Sequence, residues 1–352
     1  MPLSLVTGLV LDRIGARHGI ALAVLVYGSA QLARSVARGF PDLLAATVLF
    51  AVGATGITFG LPKLVAGRFP PGLLGTMSTV YILGAYVGTA SAYSVGRALV
   101  GPELGGWRPT FRLFGVAALA FLAVWVPVAW WHARRHGTPY GDDGGGDDDG
   151  DEGRFSLASL RADLSRVFTH RVVQLLVVVG TVYLLLAHSL QGWIPTLLES
   201  RGVAAGTAAS VATLFVVGQA IGTVTVPPVS DSLGRRRPAV VACGIGAAVG
   251  VVGLAVAGSV VAAGAAVLVV GWGVGGVSPL VRTIPTEVEE IGPALTATAV
   301  SLVFAVGELG GFFGPFLVGG LRDLTGSFLP GLGVLVVGAV VLVGAGLRLP
   351  EV

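Results

Sequence analysis

The chain reads as a succession of apolar runs long enough to cross a bilayer, and nothing else in it restricts the fold as strongly. A membrane helix needs about 20 mostly apolar residues to span a hydrocarbon core of about 30 Å. Ten stretches meet that length: 19–37, 41–66, 74–100, 110–131, 172–198, 205–229, 238–257, 260–281, 293–320 and 328–348. An eleventh, Pro2 to Leu11, has half the length, with neither a charged start nor a small-residue cleavage site, so it reads as the second half of a helix, not a signal peptide. Backbone polar groups find no water in lipid, so only helices or closed barrels cross it. A barrel would alternate apolar and polar residues in segments of about ten, and these runs are too long and too uniform for that. The expectation is an all-α membrane protein with about eleven spans.

Composition agrees. Of 352 residues, 54% are hydrophobic and 12% charged, where soluble proteins carry charge on roughly a quarter. The net charge is only +3 and no dense basic face recurs, so nucleic acid is not an expected partner. Cys243 stands alone in an apolar run, which leaves neither a disulfide framework nor a thiolate metal site. No metal or cofactor is expected. The phosphate-binding Gly-rich loop of direct ATP drive is absent, as is the His-Glu-x-x-His pattern of zinc proteases. His188 is the only histidine deep in a span, so no catalytic constellation forms and no enzyme is expected.

Residues 132–171 break the apolar pattern. Asp142 to Glu152 holds seven acids among glycines, which reads as a solvated connector or a partner-binding acidic segment. Beyond it, Leu157, Leu160, Leu164, Val167 and Phe168 recur at helical spacing with Arg161 and Arg166 between them, as in an amphipathic helix on a membrane surface. The chain therefore divides into 1–131, a linker at 132–171, and 172–352. With the loop of Arg13 and Arg17 in the cytoplasm, fifteen of the 22 basic residues fall inside, and the C-terminus is cytoplasmic. Gly84 with Gly88, and Gly310 with Gly314, have the four-residue spacing that lets membrane helices approach closely.

The two halves share a loop pattern: Asp12, Arg13, Gly15, Arg17 in the first, and Asp231, Gly234, Arg235, Arg236 in the second. In each, an acid is followed by a Gly three residues on and then by arginines, between two spans. These loops resemble the signature carried between the second and third helices of each half in the major facilitator superfamily. The match departs at Ala16 and Ser232, where that family usually has a basic residue, and at Pro227, where it has Gly. The resemblance implies two pseudo-symmetric six-helix bundles, twelve spans in all, and a secondary transporter of the prokaryotic inner membrane working by alternating access. On that alignment the first helix and half of the second are missing, as in a truncated gene model. A non-transporting sensor or scaffold on the same fold, or an inactive fragment, is the alternative. Arg282, Pro285, Glu287, Glu289 and Glu290, with Trp193 and Pro195, are similar to cyanate and nitrate/nitrite permeases, although the glycine-rich fifth-helix signature of nitrate carriers is absent. The substrate expected is a small organic or inorganic anion.

Asp12 and Asp231 are assigned to conformational gates, where a carboxylate near a helix N-terminus pairs with an arginine in one state and parts from it in another. Gly15 and Gly234 allow the tight turns. Polar groups at membrane depth are costly and mark function by default. Gln174, Thr181, His188 and Pro195 recur every seven residues, with Gln191 a turn beyond His188. This stripe either lines the substrate path, which the resemblance implies for this helix, or makes helix–helix hydrogen bonds. Trp193 reads as an interface aromatic or a path residue. Glu308, midway along 293–320, reads as a buried acid that exchanges protons, or as a paired structural carboxylate. Lys63 and Arg282, at span ends, favour an anion beside the path or simply snorkel. Tyr86 and Tyr93 share one helix face, with packing as the default role and Tyr86 a further path candidate.

Overall fold

The computed structural model describes residues 2–66, 68, 74–136, 168–288 and 292–351; the acidic run and residues 157–167 of the amphipathic segment lie outside them. Among the described residues there is no strand. The helices are α1 (Pro2–Ser35), α2 (Phe40–Ala66), α3 (Leu74–Ser91), α4 (Trp107–His136), α5 (Arg171–Ser200), α6 (Ala205–Leu233), α7 (Arg236–Val256), α8 (Val260–Glu287), α9 (Gly292–Thr325) and α10 (Leu329–Arg348). α3 continues as a π-helix over Ala92–Val100 and closes on a single turn at Gly101–Glu103.

Among the described residues, eight helices are long and apolar enough to cross a membrane, and the sequence count of eleven is not confirmed. The stretch 19–37 and the half-length run Pro2–Leu11 fall in one element, α1, which breaks at Gly15, and 74–100 is α3 with its π-helical continuation.

Prolines inside α2 and α4 through α9, except α7, explain some of the cross-helix hydrogen bonds. A helix-interior proline has no N–H for the carbonyl four residues back, and lipid offers nothing in its place. Pro279 frees the Gly275 carbonyl, and Thr223 Oγ1 donates to it at 3.0 Å. Pro195 frees the Gln191 carbonyl, and Tyr93 Oη donates to it.

The chain forms two compact units. The first comprises Met1–Gly88 and Val95–Gly150; the second comprises Thr89–Ser94 and Asp151–Val352. In the first, α1 packs along α2 and α4. The contacts are close enough that a Cβ on Gly53 would lie 2.6 Å from the Tyr27 nitrogen. Arg34 lies 4.0 Å from the Phe50 ring centroid and 5.5 Å from that of Phe111, tying the three helices at one end.

In the second unit α6 pairs with α8, α5 with α9, and α7 with both α8 and α10. The core between them is mostly aliphatic: Leu176, Leu186, Leu190, Ile194, Leu254, Leu280, Ile284, Leu335 and Leu342 are fully buried, with Phe215 among them. Gly310 and Gly314 act as their spacing suggests. A Cβ on Gly310 would fall 2.1 Å from the Thr181 carbonyl oxygen, and one on Gly314 would fall 2.5 Å from Ser189 Oγ. The Gly84 and Gly88 pair differs: among the described residues a Cβ at either meets nothing within 4 Å.

Candidate functional site

Both signature loops turn on a glycine that no other residue would replace without strain. Gly15, between the two straight parts of α1, has φ 75°, and Gly234, which ends α6, has φ 58°. A Cβ in the left-handed region costs roughly 1–2 kcal/mol. The Gly234 N–H caps α6 on the Asp231 carbonyl at 3.1 Å. Asp12 and Arg13 lie in α1, but their side chains are outside what is described, and Arg17 is half-buried.

In the second loop Arg236 makes the cross-helix contacts. Its Nε donates to Glu287 Oε2 at 2.8 Å and its Nη2 donates to Glu287 Oε1, a two-pronged hold on one carboxylate. Nη1 donates to Asp231 Oδ1 and, at 3.1 Å, to Ser230 Oγ. One guanidinium thus joins the end of α6, the start of α7 and the end of α8. Asp231 and Arg236 meet there beside the Gly234 turn, while Arg235 is exposed and in extended backbone. Glu287 was missed. A signal for it existed: an acid in the last turn of a helix opposes the helix dipole and calls for a cation.

The seven-residue stripe on α5 is only partly one surface. Gln174 is exposed and donates through Nε2 to the Phe168 carbonyl at 3.0 Å, a local use at the helix start. Thr181 donates to the Val177 carbonyl of its own helix at 2.7 Å. His188 and Gln191 are half-buried, and Pro195 is buried. Trp193 is a structural clasp: Nε1 donates to the Pro315 carbonyl at 2.9 Å, and its ring lies 5.6 Å from that of Phe328.

Glu308 corrects the sequence reading: it is exposed on its unit, not buried. The reason is its place on α9. The glycine face with Gly307, Gly310, Gly311 and Gly314 is buried, whereas Glu308 shares the open side with Leu309, Phe312 and Phe313.

Arg282 is exposed but fixed. Nη1 donates to the Ser278 carbonyl at 2.6 Å and to Ser278 Oγ at 2.7 Å, and its Cζ lies 4.4 Å from the Phe304 ring centroid. Tyr183 Oη donates to the same Ser278 Oγ at 3.2 Å. The sequence did not single out Tyr183 and Ser278, because nothing local links positions so far apart. Lys63 and Tyr86, half-buried, belong to the first unit. Among the described residues no group of three metal-ligating side chains occurs.

Among the described residues eight helices have the length and apolarity of membrane spans, the composition of a multi-pass membrane protein. Matches with known proteins say which. The sequence model of the Major Facilitator Superfamily matches residues 1–315 and 189–350, and the chain belongs to that family. A putative tartrate transporter of Agrobacterium vitis is 27% identical over 98% of this chain and 81% of its own length. The 3-(3-hydroxy-phenyl)propionate transporter of Escherichia coli (strain K12) is 28% identical over 99% of this chain and 80% of its own. Among solved structures, the E. coli fucose:proton symporter FucP (N162A) superposes with a TM-score of 0.66 at 16% identity, covering 99% of this chain and 88% of FucP. The chain is therefore a secondary transporter, a transport protein and not an enzyme.

Proposed function

We propose that this protein carries a small organic anion across a prokaryotic inner membrane by alternating access, with protons as the coupling ion and Glu308 as the coupling group. The observation that carries the anion reading is Arg282. Among the described residues no carboxylate pairs with it, yet Ser278 and Phe304 hold its guanidinium in place. A fixed cation near the end of a span, with donors to spare, suits the planar two-point recognition of a carboxylate. The relatives support this class: tartrate and hydroxyphenylpropionate, named for two of them, are carboxylates.

Glu308 suits the coupling role because a carboxylate in mid-span does not face lipid cheaply; its open side belongs to water or to protein. The Arg236 cluster is the gate of the second unit, locking three helix ends in one state and parting in the other. Orientation follows the excess of basic residues in one set of loops, which puts the C-terminus in the cytoplasm.

Uptake of labelled tartrate and of uncharged fucose by proteoliposomes tests the reading. Saturable tartrate uptake, reduced about tenfold or more in Arg282→Gln by loss of one charge-assisted contact, is the expected result. Equal uptake by Arg282→Gln and the unaltered protein refutes the anion assignment.

A further inference from the structure

Arg282 reaches back along its own helix. A helical Cβ tilts toward the N-terminus, which lays a long side chain over the residue four positions earlier, and here that residue is Ser278. Both contacts use one nitrogen: Nη1 donates to the Ser278 carbonyl at 2.6 Å and to Ser278 Oγ at 2.7 Å. The guanidinium lies over the Phe304 ring, with Cζ 4.4 Å from the centroid. Among the described residues Nε and Nη2, the other edge of the fork, have no partner.

Ser278 is itself held. It is only 7% exposed, and Tyr183 Oη donates to its hydroxyl oxygen at 3.2 Å. Gly180, one turn before Tyr183, lets the helices close up there: a Cβ on it would lie 2.6 Å from Val303 Cγ1 and 3.8 Å from Val281 Cγ1. Three helices therefore converge on one guanidinium, Tyr183 from α5, Ser278 with Arg282 from α8, and Phe304 from α9.

We propose that Tyr183 is a positioning residue for anion recognition: through Ser278 it sets Arg282 so that the Nε–Nη2 edge alone meets the ligand, and one carboxylate seats there in the plane of the guanidinium. This rests on the anion reading of Arg282 and adds how that cation is aimed. Phe304 fixes the plane of the guanidinium; the bond from Tyr183 keeps Ser278 in one rotamer, and Ser278 fixes the rotation within that plane. Arg236 shows the completed arrangement in the same chain. Its Nη1 also sits on a serine hydroxyl, that of Ser230, and on Asp231, while its Nε and Nη2 grip both oxygens of Glu287. Arg282 repeats the anchoring on serine and leaves the carboxylate edge open. A donor pair fixed before the ligand arrives loses less freedom on binding.

The first test needs no substrate. In lipid nanodiscs the isotope-labelled guanidinium of Arg282, assigned by its loss in Arg282→Lys, reports the rate of rotation about its Nε–Cζ bond. Tyr183→Phe keeps the ring and removes one neutral hydrogen bond, so rotation should quicken about 2- to 10-fold. Ser278→Ala removes a bond to the charged group and should quicken it about 10- to 150-fold, while Ser278→Thr, which keeps the hydroxyl, should restore the slow rate. The Arg236 signals should stay in place in all three. The second test is tartrate uptake: Tyr183→Phe should raise KM by a similar 2- to 10-fold, about the factor by which rotation quickens, with Vmax unchanged. An unaltered rotation rate in Tyr183→Phe, with Arg236 in its native position, overturns the positioning role, and so does a quickened rate with unaltered KM. The two proposals fail separately. Uptake lost in Arg282→Gln with rotation unmoved in Tyr183→Phe removes the positioning alone; uptake indifferent to Arg282→Gln with rotation quickened in Tyr183→Phe removes the anion reading and leaves Tyr183 as the residue that sets Arg282.

Discussion

Replacing Arg236 by Ala removes a side chain that joins α6, α7 and α8 at their shared end. The loss is four donor contacts: two to Glu287, one to Asp231 and one to Ser230. They are not equal. The Asp231 side chain is 61% exposed, so water replaces that partner at little cost, whereas the Glu287 side chain is 32% exposed and the Arg236 side chain 13%. Exposed ion pairs are worth about 0–1 kcal/mol, and hydrogen bonds to charged groups about 1.5–3 kcal/mol. Together the contacts stabilise the closed end by about 1–3 kcal/mol, an increase of about 5- to 150-fold in the opened population when they are lost.

The chain supplies its own reporter. Cys243 is its only cysteine, fully buried on α7, two turns beyond Arg236. A maleimide dye in nanodiscs at 25 °C therefore reads how often the end of the second unit opens. Labelling of Cys243 should quicken about 5- to 150-fold in Arg236→Ala. Arg236→Lys should fall between the two, since an ammonium does not grip both Glu287 oxygens. Labelling within twofold of the unaltered protein in Arg236→Ala would refute the account of this cluster as a clasp.

The same dye, used during a thermal ramp, checks further expectations. Gly310→Ala should cost about 1–3 kcal/mol, because its methyl would sit 2.1 Å from the Thr181 carbonyl oxygen, while Gly84→Ala and Gly88→Ala, with open surroundings, should cost nothing. Gly234→Ala, forced to φ 58°, should cost about 1–2 kcal/mol. Arg201 donates to the Leu254 and Ala255 carbonyls at 2.7 and 3.3 Å, so Arg201→Ala should uncap the end of α7 and lower the midpoint by about 1 kcal/mol of stability. Burial pushes the pKa of Arg201 down, but a guanidinium keeps its charge throughout the working range, so this cap should not vary between pH 6 and pH 8.

The fold was legible because lipid leaves a chain so few choices: run length and apolarity alone point to helices. Gly15 and Gly234 were legible for a similar reason, since a tight turn between long helices needs a residue that tolerates positive φ. What sequence did not show is which face of a helix meets which neighbour. Gln174 keeps the period of His188 but serves a carbonyl six residues away, at the helix start. Glu308 has the composition of a buried site yet lies on the open side of α9, because the packed side is made of glycines. Gly84 and Gly88 have the spacing of Gly310 and Gly314, yet among the described residues nothing lies within 4 Å of a Cβ at either. The pairings of Glu287 with Arg236 and of Tyr183 with Ser278 were not legible, because only the folding of the second unit brings these partners together.

Exchange across proteoliposome membranes bears most directly on the protein as a carrier. Vesicles loaded with labelled tartrate are diluted into buffer with or without unlabelled tartrate. A site that opens to one side at a time returns faster when occupied, so external tartrate should accelerate the loss of label, and the acceleration should saturate. Efflux that ignores external tartrate, or that rises with it without limit, would contradict transport through a single alternately exposed site.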